Sequence, residues 1–417
     1  MSKINTEKNK ILVPLFDGLL QMMAHEDYQP KITKIFQEDY EHAKNFLLSY
    51  RGSIDTFHSY RRDIERFLQW CMLIANKSVK QIRREEFESF LDFCQNPPIS
   101  WISTTIQNRF TEKDGQKIPN SKWRPFVVKI SKTDNKVGKK PIKKNYELSE
   151  KSFKALLAII GTFYNFLIQE EYTLINPVLL IRQKNKYFKK RKAALPIRRL
   201  SEIQWGYVIE TAEIMACENK EKHARTFFIM NALYGMYLRI SELVSTKRWT
   251  PTMGDFHRDS DGLWWFLTVG KGNKERRISV SNAMLTALKE YRKSLDLSSL
   301  PAPNEKTPLL ASHLSNQALS STRYIRELVQ MCFDRACERL IADNNQEEAD
   351  QLANATVHWL RHTGISDDVK HRPREHVRDD AGHSSGAITD KYIDVELRER
   401  HSSAKKKRIK PEFLDEN

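Results

Sequence analysis

Cysteine is scarce and scattered in this chain. The five cysteines, Cys71, Cys94, Cys217, Cys332 and Cys337, are odd in number and never spaced as Cys-x-x-Cys, so neither a disulfide framework nor a zinc ribbon is indicated. Long hydrophobic runs are lacking too. No uninterrupted apolar stretch approaches the ~20 residues that span a bilayer, and Ile11 to Leu20 is broken by Pro14 and Asp17 with no convincing cleavage site after it. The expectation is a cytoplasmic protein with no membrane partner. The Gly270-Lys271-Gly272-Asn273-Lys274 turn lacks phosphate-loop spacing and joins strand to strand, which argues against ATP binding. His358 and His362 are four apart, as in helical zinc sites, but Trp359-Leu360-Arg361 between them supplies a cation in place of the glutamate a zinc protease needs. No metal or other cofactor is expected.

What is present is positive charge. Lys and Arg number 69 against 53 Asp and Glu, a formal net charge of +16. Such an excess favours a polyanionic partner, because each neutralised phosphate releases counterions; an acidic membrane surface would fit the charge alone. At 417 residues the chain is too long for one ordinary core and implies at least two domains.

Periodicity divides the chain. Residues 1–36 read as an accessory segment or simple packing. A helical domain follows over 37–181: Phe57, Tyr60, Ile64, Phe67, Leu68 and Cys71 recur at helical spacing, a second helix runs through Ile82, Phe87, Phe90 and Leu91 until Pro97-Pro98, and a third runs from Phe153 to Leu167. Residues 99–147 lose that period, are rich in lysine, and carry an Asp114-Gly115 turn signal, which predicts an inserted loop or hairpin. Between Arg182 and Arg199 lie nine basic residues and no acidic one, centred on Lys189, Lys190, Arg191 and Lys192. This run is the domain linker, and either a solvated strap or a nucleic-acid contact.

The second domain, 200–395, begins behind Ser201 as an N-cap. A long apolar helix from Phe227 to Tyr237 delivers Arg239, with Glu242 three residues on. Asp259 to Gly262 predicts a turn, Leu263 to Val269 a strand, and Arg276 to Val280 its antiparallel return. Helices resume at 283–291 and 322–340, an acidic loop covers 345–350, and a helix carries His358 and Arg361 on one face, where an imidazole and a guanidinium can approach the same oxyanion. Taken alone, His358 beside Trp359 and Leu360 reads as a core histidine. A tail, 396–417, closes the chain.

Arg239, Lys271, His358-x-x-Arg361, Gly382-His383 and Tyr392, in that order, resemble the tyrosine recombinase family, also called phage integrases. The motifs span about 200–395, and the helices from Asp39 to Pro177 look more loosely like the family's core-binding domain. Residues 1–36 and 99–147 match nothing in it, and Ala381 stands where the family commonly has leucine. The resemblance implies a mainly α fold with a small antiparallel sheet in the catalytic domain, a two-lobed clamp on duplex DNA, and a tetramer assembled on two DNA sites at the nucleoid.

The residue types fit that chemistry. Arg239 and Arg361 are expected to bind the non-bridging oxygens of a phosphodiester. Tyr392, with an ordinary pKa near 10, needs a proton acceptor, for which His358 is the candidate, and His383 offers a further hydrogen bond to the phosphate. Lys271, with Lys274 as its rival, is expected to protonate the departing oxygen; Lys274 also stands among the expected DNA contacts. The implied product is a 3′-phosphotyrosine that a second strand resolves, giving a site-specific recombinase. A type IB topoisomerase shares this chemistry and differs in needing no synapsis; a DNA-binding regulator of the same fold would form no covalent adduct.

Overall fold

The computed structural model describes residues 12–182, 198–247, 249–270, 274–312, 315–383, 385–390 and 404–405. The chain forms two compact units, residues 1–193 and 194–417. Both are mainly helical, and the second carries a small antiparallel sheet.

The first unit is built on α1 (Leu19–Ala24), α2 (Gln37–Leu48), α3 (Ile54–Trp70), α4 (Arg84–Gln95), α5 (Lys132–Lys136), α6 (Glu150–Gln169) and α7 (Pro177–Arg182). On α3 the residues spaced by three and four, Phe57, Ile64, Phe67 and Leu68, are wholly buried, so the apolar stripe becomes the core-facing side. Asn176 starts α7 by accepting the Val178 N–H at 3.1 Å, and Pro177 takes the first helical position, where its missing N–H costs nothing. Helix α6 is long and apolar enough, by length and composition, to cross a membrane. Interruption by Lys154 and Gly161 hid this from a search for continuous runs, and Phe153, Leu156, Ile160, Phe163 and Leu167 are buried in the core of this unit.

The insert holds a hairpin, β2 (Phe110–Lys113) against β3 (Gln116–Pro119), flanked by the short parallel pair β1 (Ile102–Ser103) and β4 (Phe126–Val127). Asp114 and Gly115 both take positive φ, 51° and 71°, as the twist of a two-residue hairpin turn demands. Trp101, Ile102, Phe126 and Val128 root the insert in the core, and so do Leu12, Leu15, Phe16, Leu19 and Met22 from the start of the described chain. Buried charges join these distant segments. Glu65 accepts the Leu15 N–H at 2.6 Å and pairs with Arg109, while Asp17 pairs with Lys117 of β3 at 2.6 Å.

In the second unit α8 (Glu202–Glu218) starts behind a reciprocal cap, in which Ser201 Oγ accepts the Gln204 N–H at 3.1 Å and Gln204 Oε1 accepts the Ser201 N–H at 3.0 Å. Then come α9 (Lys220–Gly235), the sheet, α10 (Asn282–Lys293), α11 (Thr322–Ala342), α12 (Gln346–Leu352), α13 (Val357–Asp368), α14 (Arg374–Ala381) and α15 (Gly386–Asp390). The sheet has a strand the sequence pattern did not yield: β5 (Phe256–Arg258) pairs with β6 (Trp264–Val269), which pairs with β7 (Glu275–Ser279). Phe266 lies opposite both Phe256 and Ile278, and all three are buried. The acidic stretch expected as a loop is helix α12. Glu347 and Glu348 sit in its first turn, where the helix dipole favours carboxylates, and Ala349 and Leu352 bury its other face.

Helices α13 and α9 cross at Gly364, where an added Cβ would overlap the Tyr234 carbonyl oxygen. Gly364→Ala is expected to destabilise the protein by about 1–3 kcal/mol through overpacking at a contact made by backbone. Denaturant unfolding of the full chain measures it, and an unchanged midpoint would show that the crossing can yield.

Candidate active site

The end of α9 is where the site begins. Past Gly235 the chain turns through Tyr237, which holds a left-handed φ of 50°, and delivers Arg239 in extended backbone. The Arg239 N–H donates to Glu242 Oε2 at 2.8 Å and its Nη1 to Oε1 at 3.0 Å. Glu242 is 2% exposed, and Arg276 of β7 grips the same carboxylate with both terminal nitrogens, at 2.9 and 2.8 Å. Burial drives the Glu242 carboxyl upward, but the charges and hydrogen bonds of Arg276 and Arg239 outweigh it and hold the group below the ordinary value.

Arg361 comes from α13 and is 5% exposed. Its Nη1 donates to the Tyr237 carbonyl and its Nη2 to the Ala381 carbonyl, the latter at 2.6 Å. One buried guanidinium thereby ties the end of α9 to the end of α14. Beside it a second network fixes α14: Arg372 donates to Tyr237 Oη at 2.9 Å, Asp368 at 3.2 Å and Asp380 at 2.6 Å, and Asp380 accepts the Ser279 N–H of β7 at 3.1 Å. Helix α14 then ends at Gly382, whose φ of 64° is left-handed and whose Cα faces the Arg276 side chain so closely that a Cβ would meet it at 2.8 Å. That turn delivers His383, whose Nδ1 lies 2.9 Å from the buried Thr389 hydroxyl.

Four of the residues singled out from sequence therefore meet. His383 feels the charges of Arg361 and Arg239, and His358 feels the same two guanidiniums. Burial first, then Arg361, Arg239, Arg276 and His362, push His383 down to about 4. Partial desolvation and the fields of Arg361, Arg326 and Arg239 also lower His358, which keeps surface to solvent on α13. His362 falls to about 4 through burial and its neighbours His358 and Arg361. Imidazoles held neutral amid guanidiniums describe a pocket whose positive charge is concentrated for an anion. Among the described residues no group of three or more His, Cys, Asp or Glu is placed to hold a metal ion.

Lys274 is exposed at the base of the hairpin, where its carbonyl accepts the Gly270 N–H at 2.8 Å. Lys271, Tyr392 and the linker residues Lys189, Lys190, Arg191 and Lys192 lie outside the described residues. Sequence reasoning missed Arg276, Arg372, Asp380 and Thr389. Arg276 carried a readable signal: it shares a face of β7 with the buried Ile278, and an arginine on a strand's inward face needs an anion.

A helical unit with a three-stranded sheet gathers guanidiniums and imidazoles near the ends of α9 and α14 and on α13, the residue types that an oxyanion site draws on. The chain matches the phage integrase family over residues 209–399. It is 30% identical over 144 residues to the tyrosine recombinase XerD of Rickettsia bellii (strain RML369-C), covering 34% of this chain and 44% of that protein. It is 32% identical over 148 residues to the XerD of Rickettsia prowazekii (strain Madrid E), covering 34% and 43%. The chain thus matches less than half the length of these curated relatives. The fold resembles that of the XerH site-specific recombinase, solved bound to palindromic difH substrate as a post-cleavage complex, with a TM-score of 0.51 at 14% identity over 93% of this chain and 92% of that one.

The depressed histidines make a pH prediction. In the unfolded chain His362 and His383 take up protons near 6.5, whereas in the fold they do so only near 4. The unfolded state therefore binds more protons between these values, and stability, fully present above about 6.5, falls as pH drops toward 4. Thermal unfolding across that window is expected to show the decline, and His362→Gln with His383→Gln to flatten it; an equally steep decline in the double variant would place its source elsewhere.

Proposed function

We propose that this chain is a site-specific DNA recombinase that breaks and rejoins strands through a 3′-phosphotyrosine formed by Tyr392. The observation that carries the reading is the gathering of Arg239, Arg361, His358 and His383 from three separate elements, where burial first and then the guanidinium charges lower both imidazoles. An ionised phosphodiester repels nucleophiles. Fixed guanidiniums stabilise the charge that grows on its non-bridging oxygens, without reorganising at the moment of reaction.

The Tyr392 oxygen attacks phosphorus and its proton passes to His358, whose lowered pKa leaves the ring free to accept it at neutral pH. The bond from phosphorus to the 5′-oxygen breaks, and Lys271 or Lys274 protonates the leaving oxygen to a 5′-hydroxyl. His383 Nδ1 lies 2.9 Å from the Thr389 hydroxyl, and in the tautomer that accepts from this hydroxyl the ring proton stands on Nε2 as a donor for the phosphate. A 5′-hydroxyl of another strand then attacks the phosphotyrosine and restores Tyr392. The bond energy stays in the covalent link, so the cycle calls on neither ATP nor a metal ion. Rejoining to a different strand requires synapsis, hence a homotetramer on two duplex sites, acting at the nucleoid in the cytoplasm.

The test is covalent capture. Purified protein is incubated with nicked duplexes of randomised sequence, denatured, and the DNA that remains attached is sequenced. Wild type is expected to retain DNA on Tyr392, and Tyr392→Phe to lose the adduct while binding DNA as before, because phosphate gripping lies with other residues. Adduct persisting in the phenylalanine variant would move the nucleophile, and no adduct in wild type would leave a DNA-binding regulator.

The basic linker is expected to add affinity without sequence preference. Replacing Lys189, Lys190, Arg191 and Lys192 by neutral residues should reduce the slope of log affinity against log salt by up to about one unit for each phosphate the linker no longer neutralises. An unchanged slope would make the run a solvated strap.

A further inference from the structure

We propose that Arg276 is a positioning residue that keeps the Glu242 carboxylate from neutralising Arg239, so that the Arg239 guanidinium stays available to an oxyanion. The inference deepens the recombinase reading and rests on it for the identity of that oxyanion, a DNA phosphodiester.

A carboxylate offers about four acceptor positions, and four N–H groups occupy those of Glu242. Oε1 accepts from Arg239 Nη1 and Arg276 Nη1, and Oε2 from the Arg239 backbone and Arg276 Nη2. Arg239 is therefore held by one terminal nitrogen and its own backbone, while its Nε and Nη2 have no protein acceptor among the described residues. The charges point the same way. Two guanidiniums share one anion, and the surplus positive charge falls on Arg239, which is 29% exposed, instead of Arg276, which is 9% exposed. Gly270 lets the three groups close: a Cβ there would lie 3.2 Å from Arg276 Nη1, 3.3 Å from Glu242 Oε1 and 3.5 Å from Arg239 Nη1.

Without Arg276, half the Glu242 acceptor positions open. The geometry that then satisfies them is a two-pronged pair with Arg239, the strong form of an arginine–carboxylate contact. That pair would cancel the charge on Arg239 and turn its donors away from substrate. The role is thus one of competition, and it predicts a signature that simple structural damage cannot give: removing Glu242 as well should undo the harm.

The experiment compares wild type, Arg276→Gln, Glu242→Gln with Arg276→Gln, and Arg276→Lys in the full chain. Glutamine keeps most of the bulk that packs on Gly382 and removes the charge. The first readout is the Nε–H resonance of Arg239 in protein labelled on arginine, titrated with inorganic phosphate. The second is the rate of adduct formation on the duplexes captured by wild type. Arg276→Gln is expected to weaken the phosphate response and slow adduct formation by about a hundredfold, the scale of one lost electrostatic donor. The double variant is expected to regain most of both, and Arg276→Lys, which keeps charge without the fork, to fall between wild type and Arg276→Gln.

Wild-type behaviour in Arg276→Gln would overturn the proposal. So would a double variant no better than the single one, since mere misfolding accumulates. If Arg276→Gln loses its melting transition, Arg276→Lys decides: a folded lysine variant that binds phosphate as wild type does removes the need for the fork. Failure of wild type to form any adduct strikes the recombinase reading alone, because the phosphate titration still reports on Arg239.

Discussion

A guanidinium taken out of water must be resolvated by the protein, and at Arg361 the resolvating groups include two backbone carbonyls. A carboxylate would have cancelled its charge. The Tyr237 and Ala381 carbonyls supply dipoles that stabilise the cation. Arg372, just beyond the end of α13, is the contrast: Asp368 and Asp380 neutralise it, and it serves to fasten α14 to β7. Both arginines thus fasten helix ends, Arg361 through backbone carbonyls and Arg372 through carboxylates. Because Arg361 holds the Tyr237 and Ala381 carbonyls, the site depends on where two helices end.

That dependence explains the unusual backbone of Tyr237. A left-handed φ is uncommon for a bulky residue, yet here it aims the carbonyl at Arg361 while the phenol reaches Asp368 and Arg372. Tyr237 also joins Ile365, Val377 and Ala381 in a small apolar cluster of its own beneath α13 and α14. The residue serves both networks and the packing under them, so the turn is over-determined by its surroundings.

Much of this was legible in the sequence, and the rest was hidden for identifiable reasons. The helices through Phe57 to Cys71, Phe153 to Leu167 and Phe227 to Tyr237 could be read because a buried face imposes its period on neighbours in the chain. Strand β5 is three residues long and shows no alternation to read. The acidic stretch at 345–350 looked like a loop because charge dominates it, although Ala349 and Leu352 are its packing face. In the site, Arg239, His358, Arg361 and His383 could be named because each sits in a short local motif. Arg276 acts on Glu242, 34 residues away, and Arg372 reaches Ser279, 93 residues away, beyond its nearer partners Asp368 and Asp380; no local pattern encodes the distant contacts.

The tie between Asp17 and Lys117 spans 100 residues, and Arg109 reaches back 93 to the Phe16 carbonyl. During synthesis the apolar segment from Leu12 to Met22 leaves the ribosome long before the hairpin that locks it exists. Such a delay is the cost of contacts between distant parts of a chain, whose loops must close before they are rewarded. For that interval the segment has its partners on α2 and α3, such as Tyr40 and Glu65, but not the ties that the hairpin brings.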